Sequence, residues 1–273
     1  MSDLSNERPP IRIALGLSFK GTHYAGWQSQ RDQPTLQDAL ERALAQFVNS
    51  KVTTLCAGRT DSGVHGLMQV VHFDTHVDRP ETSWVRGLNA LLPKDISVAW
   101  ARRVPQTFHA RGSAVGRHYV YSLLCAPVRP SLEWGHVGWV FRPLNPDAMQ
   151  SAKAHWLGTH DFSSFRASEC QALSPIKTLR RLDISRRGAY WRFEFEADAF
   201  LHHMIRNLMG TLLAIGQEVQ PPEWAKNVLE ARSRKVAAPT FSPDGLYFAG
   251  PIYGPEWAHL DLPTRTPAYD WLP

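Results

Sequence analysis

Several features are missing from this chain, and each absence narrows the choice. Its 273 residues contain no run of about 18 uncharged apolar residues, so no membrane-spanning helix is expected. The opening MSDLSNERPP is polar and mixed in charge, without the apolar core of a secretory signal, and reads as a short disordered tail. Cysteine is scarce: Cys56, Cys125 and Cys170 are odd in number and far apart, and no C-x-x-C occurs. That pattern argues against a disulfide framework or a zinc knuckle and predicts structural thiols in a reducing, cytoplasmic setting. Charge of one sign is also limited. A net charge of +5 and a pI near 9.2 permit a polyanionic partner without demanding one.

What is present is a large apolar inventory. Hydrophobic residues make up 43% and charged residues 20%, which predicts a globular chain of one or two domains. Alternation over Ile11–Ser18 predicts a strand. Thr35 with Asp38 then resembles a capping box before a helix carried by Leu36, Leu40, Leu44, Phe47 and Val48 to about Asn49. Strands are expected at 52–57 and 68–73, a helix from Thr82 until Pro93 stops it, and a strand at 96–104. A strand over 117–125 follows, then a loop to Asn145 and a helix beginning with Pro146. Two strands at 178–185 and 190–197 flank a turn. An apolar helix over 201–215, a short one over 224–231 and a strand over 246–252 complete the series.

Setting that short helix aside, strand–helix–strand–strand–helix–strand occurs twice, once in residues 11–105 and once in 106–254, with no residue-level repeat. The expected fold is α+β: two ferredoxin-like halves joined into one large antiparallel sheet. Helices lie on one face, and a partly open other face forms a central cleft. Residues 1–10 and 255–273 are expected as terminal extensions.

The stretch Leu55–Phe73, LCAGRTDSGVHGLMQVVHF, sets a glycine-flanked polar loop between two apolar runs. Glycine serves where the backbone takes positive φ or approaches something closely, and the side chain so presented is Asp61, with Arg59 two residues before it. The residues alone leave several readings open. Asp61 could cap its own turn. A phosphate cradle would want a Gly-Lys-Ser/Thr, which does not follow. A metal site could use Asp61, His65 and His72, although no tight ligand pair accompanies them. Small basic groups recur at Arg102-Arg103, His109 with Arg111, Arg117-His118, Arg180-Arg181, Arg186-Arg187 and Arg232 to Lys235. Each alone reads as a solvated face; together they suit phosphate. Of the ten tryptophans most are expected in the core, with Trp27 a candidate to face a ligand.

CAGRTDSGVHG with QVVHF behind it, FHARGSAVGRHYVY, DFSSFR and FLHHMIRNLMGTLL closely resemble the TruA-type tRNA pseudouridine synthases, from Ile11 to about Ile252. Ser62 stands where that family is expected to carry a small Ala. The resemblance implies isomerisation of uridine to pseudouridine at tRNA positions 38, 39 and 40, by a homodimer that needs no cofactor and no metal. It implies Asp61 as the catalytic carboxylate and Arg206 as its ion-pair partner. It also implies Arg59 against the carboxylate loop and the flipped nucleotide, Tyr119 stacked on the target base, and Leu246 packing the pocket. Arg111, Arg117 and His65 are expected to contact RNA; His202 and His203 could suggest a metal, but adjacent residues diverge on a helix, and they are read as helix-face or RNA-facing histidines. A non-catalytic RNA-binding protein and a metal-dependent RNA hydrolase are the competing classes.

Overall fold

Ile11, Ile13, Leu15 and Leu17 alternate with smaller or polar residues, and they form the strand β1 (Ile11–Phe19) of a computed structural model that describes residues 9–264. Thr35 caps the first helix as the sequence predicts. Its side chain accepts the Asp38 N–H at 3.3 Å, and α1 (Leu36–Val48) ends at Asn49 in the left-handed region. The elements that follow are β2 (Leu55–Cys56), β3 (His65–Thr75), α2 (Glu81–Leu91), β4 (Ile96–Val104) and β5 (Ala114–Cys125). Then come β6 (Gly138–Val140), α3 (Pro146–Ala154), β7 (Gly158–Asp161), β8 (Ile176–Arg187), β9 (Tyr190–Ala197), α4 (Met204–Gly216), α5 (Trp224–Ala231) and β10 (Leu246–Tyr253). The strand expected at 52–57 shrinks to two residues, and β6 and β7 arise in stretches without clear alternation. The reading of residues 1–8 as a disordered tail, and the extension beyond 264, lie outside the described residues.

One sheet runs β4-β1-β3-β10-β5-β9-β8-β7, with β2 beside β3 and β6 beside β5. The first half of the sequence supplies one contiguous block of strands and the second half the other. The sheet is antiparallel except at β6 and at the seam, where β3 and β10 run parallel with Tyr247 opposite His65 and Phe248 opposite Gly66.

Directly opposed residues of neighbouring strands share a face. Phe19 opposes Gly66, then Phe248, Tyr119, Phe195 and Leu182 continue the row across β10, β5, β9 and β8. At one end Phe19 packs with Leu40, Leu44, Trp84 and Leu88 of α1 and α2. At the other, Phe195 and Leu182 pack with Met149 of α3 and Leu208 and Leu212 of α4. The helices of both halves therefore sit on one face, as expected.

The other face, expected to be partly open, is covered in part. In the N-terminal half that face is covered by the chain after β10. Trp100, opposite Gly16, donates its indole N–H to the Pro263 carbonyl at 2.9 Å. Phe108 packs edge-on to Tyr253 and Trp257, with ring centroids 5.2 and 5.3 Å away. At the seam Phe248 and Tyr119 share the helix-bearing side with Phe195. No helix among the described residues is long and apolar enough to cross a membrane, and the three cysteines are free thiols.

Candidate active site

The loop carrying Asp61 is held from three directions. Buried Gln69 on β3 bonds both backbone groups of Gly58: its Nε2 donates to the carbonyl at 2.6 Å and its Oε1 accepts the N–H at 3.3 Å. The chain after β1 folds over the loop, with Trp27 N–H donating to Thr60 O at 3.0 Å and Gly63 N–H to Tyr24 O at 3.3 Å. Two glycines permit this approach. Gly63 has φ of +79°, and Gly26, at φ +95°, lies so close that a Cβ there would sit 2.6 Å from the Thr60 carbonyl oxygen. Trp27 belongs to the core, 2% exposed and 5.8 Å from the Phe19 ring, so it does not face a ligand.

The third support is Arg117. Its Nη2 donates to Ala57 O at 3.2 Å and Arg111 O at 2.9 Å, and its Nη1 to Asp198 O at 3.0 Å and Ala114 O at 3.2 Å. A guanidinium so engaged has no fork left for phosphate. The expectation that Arg117 grips RNA is thus replaced by a structural role: it ties the strand leading into the Asp61 loop to β5 and to the end of β9.

So held, Asp61 faces the start of α4, with its side chain 19% exposed. Arg206 Nη1 lies 3.7 Å from Asp61 Oδ2. Its Nε donates to Phe241 O at 2.8 Å, while the Phe241 N–H returns to the Arg206 carbonyl at 3.1 Å, so the guanidinium is fixed from its far side. Two residues read from the sequence as helix-face or RNA-facing join them. His202 Nε2 is 3.4 Å from Asp61 Oδ1, and His203 Nε2 is 3.6 Å from Oδ2. Their rings do not diverge, because α4 begins only at Met204. His203 precedes it at φ 62°, ψ 4°, and this left-handed kink brings the two rings to a 4.1 Å centroid separation. Burial draws the His203 imidazole below its ordinary pKa, with His202 and Arg206 adding to the effect and the charges of Asp61 and Glu169 opposing it.

Tyr119 forms the floor. It is 8% exposed, edge-on to Phe200 at 5.1 Å and tilted against Phe248 at 5.0 Å. Burial, and then the charge of Asp61, push its hydroxyl well above the ordinary tyrosine range, so it remains a phenol. Leu246 is buried in the same core, opposite Tyr121.

Arg59 and Arg111 are exposed, and neither forms an ion pair with Asp61 among the described residues. Other basic groups are already neutralised: Arg102 by Glu81, Arg103 by Asp78, and Arg181 by Asp183 and Glu194. His65 is placed away from the cluster, which corrects its expected contact with RNA. It shares a face with Tyr247, opposite to that of Tyr119, and is 2% exposed. Its Nδ1 accepts the Gly21 N–H at 3.1 Å and its Nε2 donates to Asp244 O at 3.1 Å. Both nitrogens are used, and burial lowers its pKa to about 4.

The donor atoms of Asp61, His202 and His203 all lie within 4.8 Å of one another, a set that could approach a divalent ion. The guanidinium of Arg206 beside Asp61 opposes a second cation there. His72, weighed with Asp61 and His65 as one possible metal set, accepts the Ala110 N–H at 3.1 Å, in contact with Phe108 and His109.

A carboxylate on a glycine-flanked loop, an arginine from a helix and a buried tyrosine are thus brought near one another. The tRNA pseudouridine synthase family profile matches residues 17–111 and 152–254. The chain is 65% identical over 263 residues to tRNA pseudouridine synthase A of Albidiferax ferrireducens, covering 96% of this chain and 100% of that protein. It is 62% identical over 263 residues to the enzyme of the same name from Methylibium petroleiphilum, with the same coverage. Among solved structures, an archaeal box H/ACA sRNP Nop10–Cbf5 complex aligns at a TM-score of 0.34 and 10% identity, over 82% of this chain and 59% of that one, too distant to argue from. On the family profile and these full-length relatives, this chain belongs to the tRNA pseudouridine synthase family.

Proposed function

We infer that this protein isomerises uridine to pseudouridine in tRNA, at positions 38, 39 and 40 of the anticodon arm, in the cytoplasm and as a homodimer. The observation that carries the chemical part is the Asp61 carboxylate with Arg206 Nη1 at 3.7 Å, near enough to buried Tyr119 for its charge to act on the phenol. The reaction breaks a nitrogen–carbon glycosidic bond, turns the base and rejoins it through carbon. An ionised carboxylate can attack the sugar or the ring. A base inside a stem must first leave the stack, and the ring of Tyr119 offers it a new surface. Arg59, exposed at the loop, and exposed Arg111 are available to meet the phosphates.

The chain reads as two ferredoxin-like halves, 11–105 and 106–254, with the reacting groups drawn from both sides of the seam. An unmodified tRNA transcript incubated with the protein, then mapped for pseudouridine by chemical modification and primer extension, should show stops at 38, 39 and 40. Modification confined to other positions would contradict the site assignment. Sedimentation of a fully active monomer would contradict the dimer.

The metal-dependent hydrolase reading has one observation in its favour, the donor set of Asp61, His202 and His203. The adjacent Arg206 weighs against it. Pseudouridine formation should persist in excess chelator, with the tRNA left uncut; strand cleavage restored by added divalent metal would favour the hydrolase.

A further inference from the structure

Isomerisation of uridine leaves no net change in protons, but two must move. The bond from N1 to C1′ breaks and a bond from C5 to C1′ forms. C5 must then release its hydrogen as a proton, the C–H electron pair returning to the ring, and N1 must gain one from solvent. At that moment C5 is bonded to C1′, in the space over the Asp61 carboxylate, wherever the carboxylate first attacked. The acceptor must therefore stand beside Asp61.

The groups around that carboxylate differ in what they can do. Arg206 stays protonated and has its Nε committed to Phe241. Tyr119 is a phenol whose proton is held more tightly than usual, by burial and by Asp61. Asp61 is released from C1′ as the C5–C1′ bond forms, or leaves the ring as C5 loses its proton, and a carboxylate is in general a weaker base than an imidazole. His202 and His203 remain, each with Nε2 at a different carboxylate oxygen, 3.4 and 3.6 Å away. Their placement is built into the backbone. The left-handed residue at His203 turns two consecutive side chains onto one carboxylate. The preceding residue is pinned on both sides, His202 N–H to Cys170 Sγ at 3.4 Å and Ala167 N–H to His202 O at 3.0 Å. His203 is the more enclosed, with its side chain 28% exposed against 37% for His202.

We propose that His203 is a catalytic residue that accepts the C5 proton, and that His202 passes this proton to solvent. The inference rests on the reading of Asp61 as the catalytic carboxylate. Three features keep His203 a free base before the step: its partial burial, the positive end of α4, and the cations His202 and Arg206 when charged. Asp61 and Glu169 then stabilise the imidazolium that forms.

The test uses the full chain in single-turnover reactions on tRNA carrying either hydrogen or deuterium at C5 of the target uridines. His203→Asn is the first variant, because Asn tolerates the left-handed conformation but its amide accepts no proton. The rate should fall roughly 10²–10⁴-fold. tRNA affinity should stay within a few-fold, and the deuterium effect should exceed that of the unaltered protein. His203→Gly also accepts this conformation and leaves space for a small base, so added imidazole should restore its rate in proportion to concentration. His202→Ala should slow the reaction less than either. A near-normal rate in His203→Asn would overturn the proposal. So would a slow rate with no larger isotope effect and no imidazole rescue of His203→Gly, since these variants would then only have disturbed the carboxylate. If His203→Asn fails to fold or bind, the imidazole response of His203→Gly decides. Failure here is distinguishable from failure of the Asp61 reading, which would show as turnover by an Asp61→Asn variant.

Discussion

Arg117 reaches from β5 to the Ala57 carbonyl oxygen, its Nη2 at 3.2 Å and Nε at 3.4 Å, and so anchors the strand that leads into the Asp61 loop. Arg117→Ala leaves carbonyls of Ala57, Asp198 and Arg111 without these donors. Stability should fall by roughly 1–3 kcal/mol, the usual cost of buried groups left unpaired. Turnover should fall more than tRNA affinity. Urea denaturation beside filter binding checks this; an intact fold with selectively weakened binding would return Arg117 to the RNA interface.

Exposed arginines should show the opposite behaviour. Arg59→Ala and Arg111→Ala should each weaken tRNA binding while leaving unfolding unchanged. Each should reduce the slope of log affinity against log salt by about 1 if it contacts one phosphate. Affinity measured from low to high salt decides; slopes unchanged by either substitution would remove these residues from the interface.

His65 makes acid stability a further check. Its folded pKa is lowered from 6.5 to about 4, so between those values the unfolded chain binds more protons than the folded one. Stability is then fully present above about pH 6.5 and is lost as pH falls towards 4, at up to about 1.4 kcal/mol per pH unit for this group. Buried His72, also lowered to about 4, acts in the same window, whereas Glu194, held at about 2, acts below it. Denaturation at pH 7, 6 and 5 should show this decline, and His65→Gln should lessen it. A decline unaltered by that substitution would contradict the assignment.

Much of the fold was legible in the sequence because apolar period reports burial: β1, α1, β4, β9 and α5 stand where alternation or helical spacing puts them. The Asp61 loop was legible from its glycines and motif, and Arg206 from a charge in an apolar helix. The histidine pair was not. Periodicity through Leu201, Met204 and Ile205 suggests an unbroken helix, on which adjacent side chains diverge. A single left-handed residue reverses that conclusion, and no pattern of apolar residues records it. His65 and Arg117 misled for a related reason. Their residue types suit RNA, but their hydrogen-bonding capacity is spent on Gly21 and Asp244, and on Ala57, Arg111, Ala114 and Asp198. Only long-range neighbours reveal that. The cover over part of the other face comes likewise from distant neighbours, Pro263 against Trp100 and Trp257 against Phe108.

The most direct measurement concerns Asp61→Asn. Asn serves a turn as well as Asp does, so it preserves the loop while removing the charge that faces Arg206, His202 and His203. Release of tritium from tRNA labelled at C5 of uridine, run beside filter binding, separates chemistry from recognition. The account predicts that release vanishes at every pH tested while tRNA affinity stays within a few-fold. Substantial tritium release by the Asn variant would contradict it.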